Sequence, residues 1–280
     1  MARNTVKTMR KLVDEGGKLS MVTSYDYTMA SLVEEAGVNM ILVGDSLGMT
    51  MMGYEDTLPV TMDDMVHHTR CVTRATHDTF VVGDMPFMSY QASVPEAVRN
   101  AGRLMKEGRA QAVKLEGGAS VCEQIRAMVD SGIPVMGHIG MTPQSQNMFG
   151  GFKVQGKSVD AAKRIVEDAL KVQEAGAFSM VLECVPAALA AYITEQLTTA
   201  TTIGIGAGNG CDGQVLVCQD LLGMTTGGFK PKFVRQFAQV GEVIKGAYAD
   251  YIAAVSDGSF PAQENTFKID EAVMDEVRKG

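Results

Sequence analysis

Short apolar runs alternate with amphipathic stretches along this chain, and the alternation repeats eight times. The apolar runs are residues 20–24, 39–43, 79–83, 111–115, 134–137, 178–182, 201–205 and 215–218. Most are apolar throughout rather than at every second position, as parallel strands covered on both faces require. Helical signals lie between them. Ser93 followed by Glu96, and Ser120 followed by Glu123, read as capping boxes that satisfy N–H groups left over at a helix start. Thr61 opens the stretch 62–74, with Asp63 and Asp64 in the first turn, where negative charge suits the helix dipole. Within 161–175, Ala162, Ile165, Val166, Ala169 and Val172 recur at helical spacing. Gly37, Gly108, Gly132 and Gly176 follow helical stretches at positions suited to helix termination.

Strand then helix, repeated, predicts right-handed crossovers and a closed (β/α)8 TIM barrel of the α/β class in preference to a doubly wound open sheet. The length of 280 residues fits one such barrel. A single domain is expected over 1–280. Its last part, 233–280, reads as a charged helical extension that either covers the barrel or joins subunits.

Composition narrows the partners. The hydrophobic share of 46% supplies a large core, and 20 Met with no Trp make it adaptable and aliphatic. A formal charge of −8 argues against nucleic acid and gives no general attraction for an anionic substrate. Such a substrate needs local positive charge from Lys, Arg or a metal ion. Five cysteines at irregular spacing, without Cys-x-x-Cys, argue against a disulfide framework or zinc knuckle. Reduced thiols in a cytoplasmic protein are expected. No apolar run approaches membrane-spanning length, and residues 1–18 lack the apolar centre of a secretory signal, so no membrane partner is expected.

Candidate chemistry lies at the strand ends. Asp45 follows the run ending at Val43-Gly44, and Asp84 follows Val82-Gly83. Lys114 and Glu116 bracket Leu115, His138 follows Gly137, and Glu183 follows Leu182. In a barrel all C-terminal strand ends open on one mouth, so five strands deliver ionisable groups to one place. Taken singly, each could simply mark where a strand stops. Several carboxylates in one mouth repel each other unless a cation lies among them. Oxygen ligands without thiolates favour Mg²⁺ or a similar hard ion. An α-keto acid could chelate that ion, which would stabilise its enolate, and a carboxylate not bound to metal could act as base. The residue types thus point to proton abstraction beside a carbonyl followed by carbon–carbon bond formation. Lys114 as a Schiff-base amine is the competing mechanism.

These same residues carry a resemblance. The runs Val43-Gly44-Asp45-Ser46-Leu47-Gly48-Met49, Gly83-Asp84-Met85-Pro86-Phe87 and Val113-Lys114-Leu115-Glu116-Gly117-Gly118 resemble the ketopantoate hydroxymethyltransferase family. So do Gly137-His138-Ile139-Gly140-Met141-Thr142-Pro143-Gln144-Ser145, Phe149-Gly150-Gly151-Phe152-Lys153, Leu182-Glu183-Cys184-Val185-Pro186 and Ile205-Gly206-Ala207-Gly208-Asn209. The match runs in order from about Thr23 to about Pro261. It implies a TIM barrel, Mg²⁺, and transfer of a hydroxymethyl group from 5,10-methylenetetrahydrofolate to 3-methyl-2-oxobutanoate, giving 2-dehydropantoate on the route to pantothenate and coenzyme A. It implies Asp45, Asp84 and Glu116 at the metal; for Glu116 a looser role through water is expected, the alternative being a structural carboxylate bound to loop amides. By the same resemblance Asp45, Ser46, Asp84 and Lys114 contact the keto acid, His138 lies in the pocket, and Glu183 accepts the proton. A homo-oligomer, commonly a decamer, is implied as well. The chain departs from the family pattern at Tyr54, where many members carry His, at Gly210-Cys211, at 227–233 and in the tail after Ser259.

Other features read as structural. His67-His68 falls inside a predicted helix. The glycine-rich run 204–210 imitates a dinucleotide fingerprint, but a strand follows it where a Rossmann fold needs a helix, so it is expected to form pocket wall. Glu183 could alternatively be a salt-bridge partner of Lys114. Two other functions fit the architecture: a Mg²⁺-dependent lyase of the phosphoenolpyruvate/isocitrate-lyase type, and a non-catalytic metabolite-binding barrel. The first needs a Lys-Cys-Gly-His catalytic loop, and neither Cys184 nor Cys211 has that context.

Overall fold

The computed structural model describes residues 4–151, 153–225 and 231–280. Phe152, and the 227–230 part of the divergent segment, lie outside them. The eight strands are β1 Leu19–Thr23, β2 Met40–Val43, β3 Phe80–Asp84, β4 Ala112–Lys114, β5 Val135–Gly140, β6 Ser179–Glu183, β7 Thr201–Ile205 and β8 Gly213–Leu216. Each pairs in parallel with the next, and β8 returns to β1, closing the barrel. Seven expected strands agree to within a few residues. The eighth begins two residues earlier, at Gly213, and Cys218 already opens a short helix.

Alternate residues on the strands join two different cores, as a pleat demands. Ile41, Val43, Val81, Val113, Val135 and Met180 pack outward in the larger cluster with helix residues such as Leu104, Ile125 and Val172. Met40, Leu42, Phe80, Val82, Ala112, Met136 and Val181 form a second, inner cluster. The helix Val6–Asp14 adds Met9 to that inner cluster. Counting on by twos from the inner cluster, the next positions are Asp84 after Val82, Lys114 after Ala112, His138 after Met136 and Glu183 after Val181. The barrel interior is therefore apolar at one end and ionisable at the C-terminal mouth, in one continuous register.

Most helix boundaries are set as the sequence predicts. Thr61 caps Met62–Thr73 in a reciprocal box with Asp64, and Ser93 caps Val94–Lys106. Ser158 caps Val159–Glu174, which buries Ile165, Ala169 and Val172. Two expectations are corrected. Ser120 caps nothing: it lies inside a 3-10 turn, Ala119–Val121, whose first N–H is taken by Asp168 Oδ1 at 2.8 Å. After Val94–Lys106 the left-handed position falls to Arg109, φ 64°, not to Gly108. Gly108 is instead required for space, because a Cβ there would meet the Leu104 carbonyl at 2.6 Å.

The tail is helical over Val240–Asp257 and Glu271–Lys279, and neither helix buries a residue. All five cysteines are free, and no helix among the described residues is long and apolar enough to cross a membrane.

Candidate active site

Register brings the predicted residues together. Asp84 and Lys114 are paired neighbours on β3 and β4. Lys114 Nζ donates to Asp84 Oδ1 at 2.7 Å and to Oδ2 at 2.8 Å, both side chains being almost fully buried. Asp45 lies just beyond β2, and its N–H donates to Asp84 Oδ2 at 3.2 Å. Glu116 leaves β4 and turns inward, with Oε1 3.8 Å from Lys114 Nζ and 3.4 Å from His138 Nδ1. His138 reaches the other way too: its Nε2 is 3.3 Å from Glu183 Oε2. His138 thus stands between two carboxylates, in charge contacts that lack hydrogen-bond alignment. Glu183 pairs with His138, and Lys114 pairs with Asp84, which answers the alternative of a Lys114–Glu183 bridge.

Backbone geometry fixes Glu183. Gly140 has φ 93°, and a Cβ there would run into the Glu183 carbonyl, which accepts the Met141 N–H at 2.9 Å. The next residue, Cys184, sits in the left-handed region at φ 49°, rare for a residue with a Cβ. Its N–H donates to Ile205 O and its carbonyl accepts from Gln155, so the strained turn is held from both sides. Ser46 faces Tyr25, hydroxyl to hydroxyl at 2.9 Å. His68 is structural as expected, its Nδ1 lying 2.7 Å from the Tyr25 carbonyl oxygen.

Electrostatics follow from crowding. Burial, then the charges of Asp84 and Glu116, push the Asp45 carboxyl well above its usual range, against Lys114 and Gln144. Asp84 is also raised, by burial and Glu116, although Lys114 opposes. Glu116 goes the other way: burial resists, but His138, Lys114 and the Gln144 N–H hold it low. Burial and Lys114 would lower His138, yet Glu116 and Glu183 outweigh them and raise it to about 9. For Lys114, burial is overcome by Asp84, Glu116 and Asp45, so its ammonium is held more firmly than usual. A protonated lysine locked to both oxygens of a carboxylate is a poor amine nucleophile, which weakens the Schiff-base alternative.

Two contributors gave no signal at a strand end. Gln144 donates from Nε2 to Asp45 Oδ2 at 2.9 Å and to the Met85 carbonyl at 3.0 Å, and its own N–H donates to Glu116 Oε2 at 3.0 Å. Tyr90 OH donates to Gln144 Oε1 at 2.7 Å and accepts from the Glu116 N–H at 3.1 Å. Beside the cluster opens a cavity of about 320 Å³, lined among others by Gly117, Gly140, Thr142, Phe149, Gln155 and Arg164.

A family model described as ketopantoate hydroxymethyltransferase matches residues 3–263. The chain belongs to that family. A 3-methyl-2-oxobutanoate hydroxymethyltransferase of Clostridium novyi (strain NT) is 61% identical over 275 residues, 98% of this chain and 99% of that protein. One of the same name from Enterococcus faecalis (strain ATCC 700802 / V583) is 56% identical, with the same coverage. Among solved structures, a phosphonopyruvate hydrolase in complex with oxalate and Mg²⁺ superposes with a TM-score of 0.62 at 12% identity, covering 99% of this chain and 97% of that one. A 2,3-dimethylmalate lyase of the PEP mutase/isocitrate lyase superfamily gives 0.60 at 16%, covering 98% of each. At such identities the likeness concerns the barrel fold alone, so the lyase alternative gains nothing in function from it.

The cation expectation meets a mixed answer. Among the described residues no three His, Cys, Asp or Glu side chains converge closely enough to hold a metal ion by themselves. Glu116 is engaged by Gln144 and faces His138. The donor chemistry nevertheless suits a hard cation. Three buried carboxylates share one buried ammonium, and uncompensated buried charge is costly. Mg²⁺ needs only one or two carboxylates, the rest being water or substrate oxygen.

Proposed function

We propose that this protein transfers a hydroxymethyl group from 5,10-methylenetetrahydrofolate to 3-methyl-2-oxobutanoate, giving 2-dehydropantoate for pantothenate and coenzyme A synthesis. The observation that carries the reading is the cluster Asp45, Asp84, Lys114, Glu116, His138 and Glu183 at one barrel mouth. It occurs in a chain aligned nearly end to end with relatives named for that activity.

Magnesium, held by Asp45 and Asp84 with Glu116 acting through water, would supply Lewis-acid stabilisation of the negative charge developing on the keto oxygen. The chain's own groups do the rest. Lys114 commits two of its three N–H donors to Asp84 and keeps one for the substrate. The Ser46 hydroxyl, set by Tyr25, lies one residue from Asp45 and fixes the keto acid's charged end. Glu183, the least buried acid of the group at 13% side-chain exposure, removes the C3 proton. His138 holds Glu183 in place from behind. The neighbouring cavity is assigned to the folate, with the Phe149 ring available for stacking and Arg164 for a carboxylate.

The protein acts as a homo-oligomer in this reading, with a decamer expected. Support comes from the helix Val240–Asp257, which leaves Val243, Tyr248, Ile252 and Val255 at least half exposed. Apolar exposure on that scale is a usual mark of an interface. Product formation from the two named substrates, with Glu183→Gln as control, tests the activity. Turnover by the native protein and its collapse in the variant are expected; no turnover by the native protein overturns the reading.

A further inference from the structure

Gln144 has four hydrogen-bonding opportunities, two from its NH₂ and two at its oxygen. All four are used, although the residue is buried. Nε2 serves Asp45 Oδ2 and the Met85 carbonyl; Oε1 takes the Tyr90 hydroxyl at 2.7 Å and Gln91 Nε2 at 3.3 Å. The orientation of the amide is fixed by its neighbours. The Met85 carbonyl can only accept, so a flipped amide would set oxygen against oxygen there and at Asp45. Tyr90 adds the second lock. Its hydroxyl oxygen accepts the Glu116 N–H, and its single hydrogen goes to the shorter contact, Gln144 Oε1, over the Glu116 carbonyl at 3.1 Å. The main-chain N–H of Gln144 meanwhile holds Glu116 Oε2. One residue on the loop after β5 therefore grips an acid that follows β2 and another that follows β4.

We infer that Gln144, held by Tyr90, is the positioning residue of the cation site: it occupies Asp45 Oδ2 so that Asp45 presents its other oxygen to the ion. This rests on the metal-assisted reading above. It assigns a role to a neutral side chain, and it predicts that the polarity of Gln144, not its volume, sets cation affinity. Partners that orient metal ligands typically contribute about 10–100-fold in affinity.

The test uses the full chain, Mn²⁺ as the probe and no substrate, with free Mn²⁺ followed by electron paramagnetic resonance. Gln144→Met keeps the shape and removes every hydrogen bond of the side chain. Tyr90→Phe keeps the amide and removes its lock. Weakening of Mn²⁺ binding by at least tenfold in Gln144→Met is expected, with a smaller loss, about threefold to tenfold, in Tyr90→Phe. The metal-free melting temperature should stay within a few degrees of the native protein in Tyr90→Phe and fall further in Gln144→Met, which leaves buried partners unpaired. Native binding with equal affinity in a folded Gln144→Met overturns the positioning role and leaves the metal reading intact. Absence of Mn²⁺ binding by the native protein overturns both. Should Gln144→Met fail to fold, Tyr90→Phe decides alone, and unchanged affinity there overturns the inference.

Discussion

Lys114 Nζ lies within 2.8 Å of both carboxylate oxygens of Asp84, on adjacent strands whose register sets the two residues side by side. The pair is buried, so each charge depends on the other. Among the described residues, removing the ammonium leaves the three buried acids facing no cation but His138. Lys114→Met should cost about 3–5 kcal/mol of stability and abolish turnover. Chemical denaturation of the variant beside the native protein checks the first figure. A variant as stable as the native protein would show that Asp84 is held neutral.

Glu183 tests the base assignment without disturbing the core. It is partly exposed and contacts His138 alone among the cluster. Glu183→Gln should preserve the melting temperature to within a few degrees while lowering kcat about 10²–10⁴-fold. Deuterium exchange at C3 of 3-methyl-2-oxobutanoate, followed by NMR, should slow in step. Exchange at the native rate in the variant would move the base elsewhere.

Far from the mouth, Glu34 predicts a pH effect on stability. Its carboxylate accepts the N–H groups of His77, Asp78 and Thr79 at 2.8–3.0 Å, tying the helix Tyr27–Glu35 to the turn before β3. Burial would raise it, but the Thr79 hydroxyl and these N–H groups together lower it from 4.5 to about 2. A depressed carboxyl contributes stability that is complete above its unfolded value and is lost as pH falls toward the folded one. The native protein should therefore lose about 1 kcal/mol from this group between roughly pH 5 and pH 2, solvent screening included. Glu34→Gln should be less stable at pH 7, and the gap should close toward pH 2. Thermal melts across that range check it; a constant gap would contradict the assignment.

The exposed helix Val240–Asp257 bears on assembly. Ile252 is 62% exposed and Tyr248 66%, so neither supports the protomer's own fold. Tyr248→Asp combined with Ile252→Asp should lower the mass seen by light scattering and leave the far-ultraviolet circular dichroism unchanged. An unchanged mass would place the interface elsewhere.

Much of this was legible in the sequence because apolar runs and the charges ending them obey one geometry. Asp84, Lys114, His138 and Glu183 fall at strand ends and also on the inward parity, so periodicity alone brings them together. The start of β8 was less legible, since Gly213 and Gln214 carry no apolar signal; their strand character comes from pairing with Leu19 and Ser20. Ser120 matched a cap pattern, but Asp168, distant in sequence, supplied the acceptor instead. Gln144 and Tyr90 were invisible for a related reason: neutral side chains mark no strand end, and their role exists only once four loops meet. Gln144 did lie inside the run from Gly137 to Ser145 that carries the family resemblance, which was the one available hint.

The most direct test of the central claim is formation of 2-dehydropantoate from 3-methyl-2-oxobutanoate and 5,10-methylenetetrahydrofolate before chelation, after thorough treatment with EDTA, and after Mg²⁺ is restored. Activity that disappears on chelation and returns with Mg²⁺ is the predicted result. Activity that survives chelation would contradict a cation held by Asp45 and Asp84.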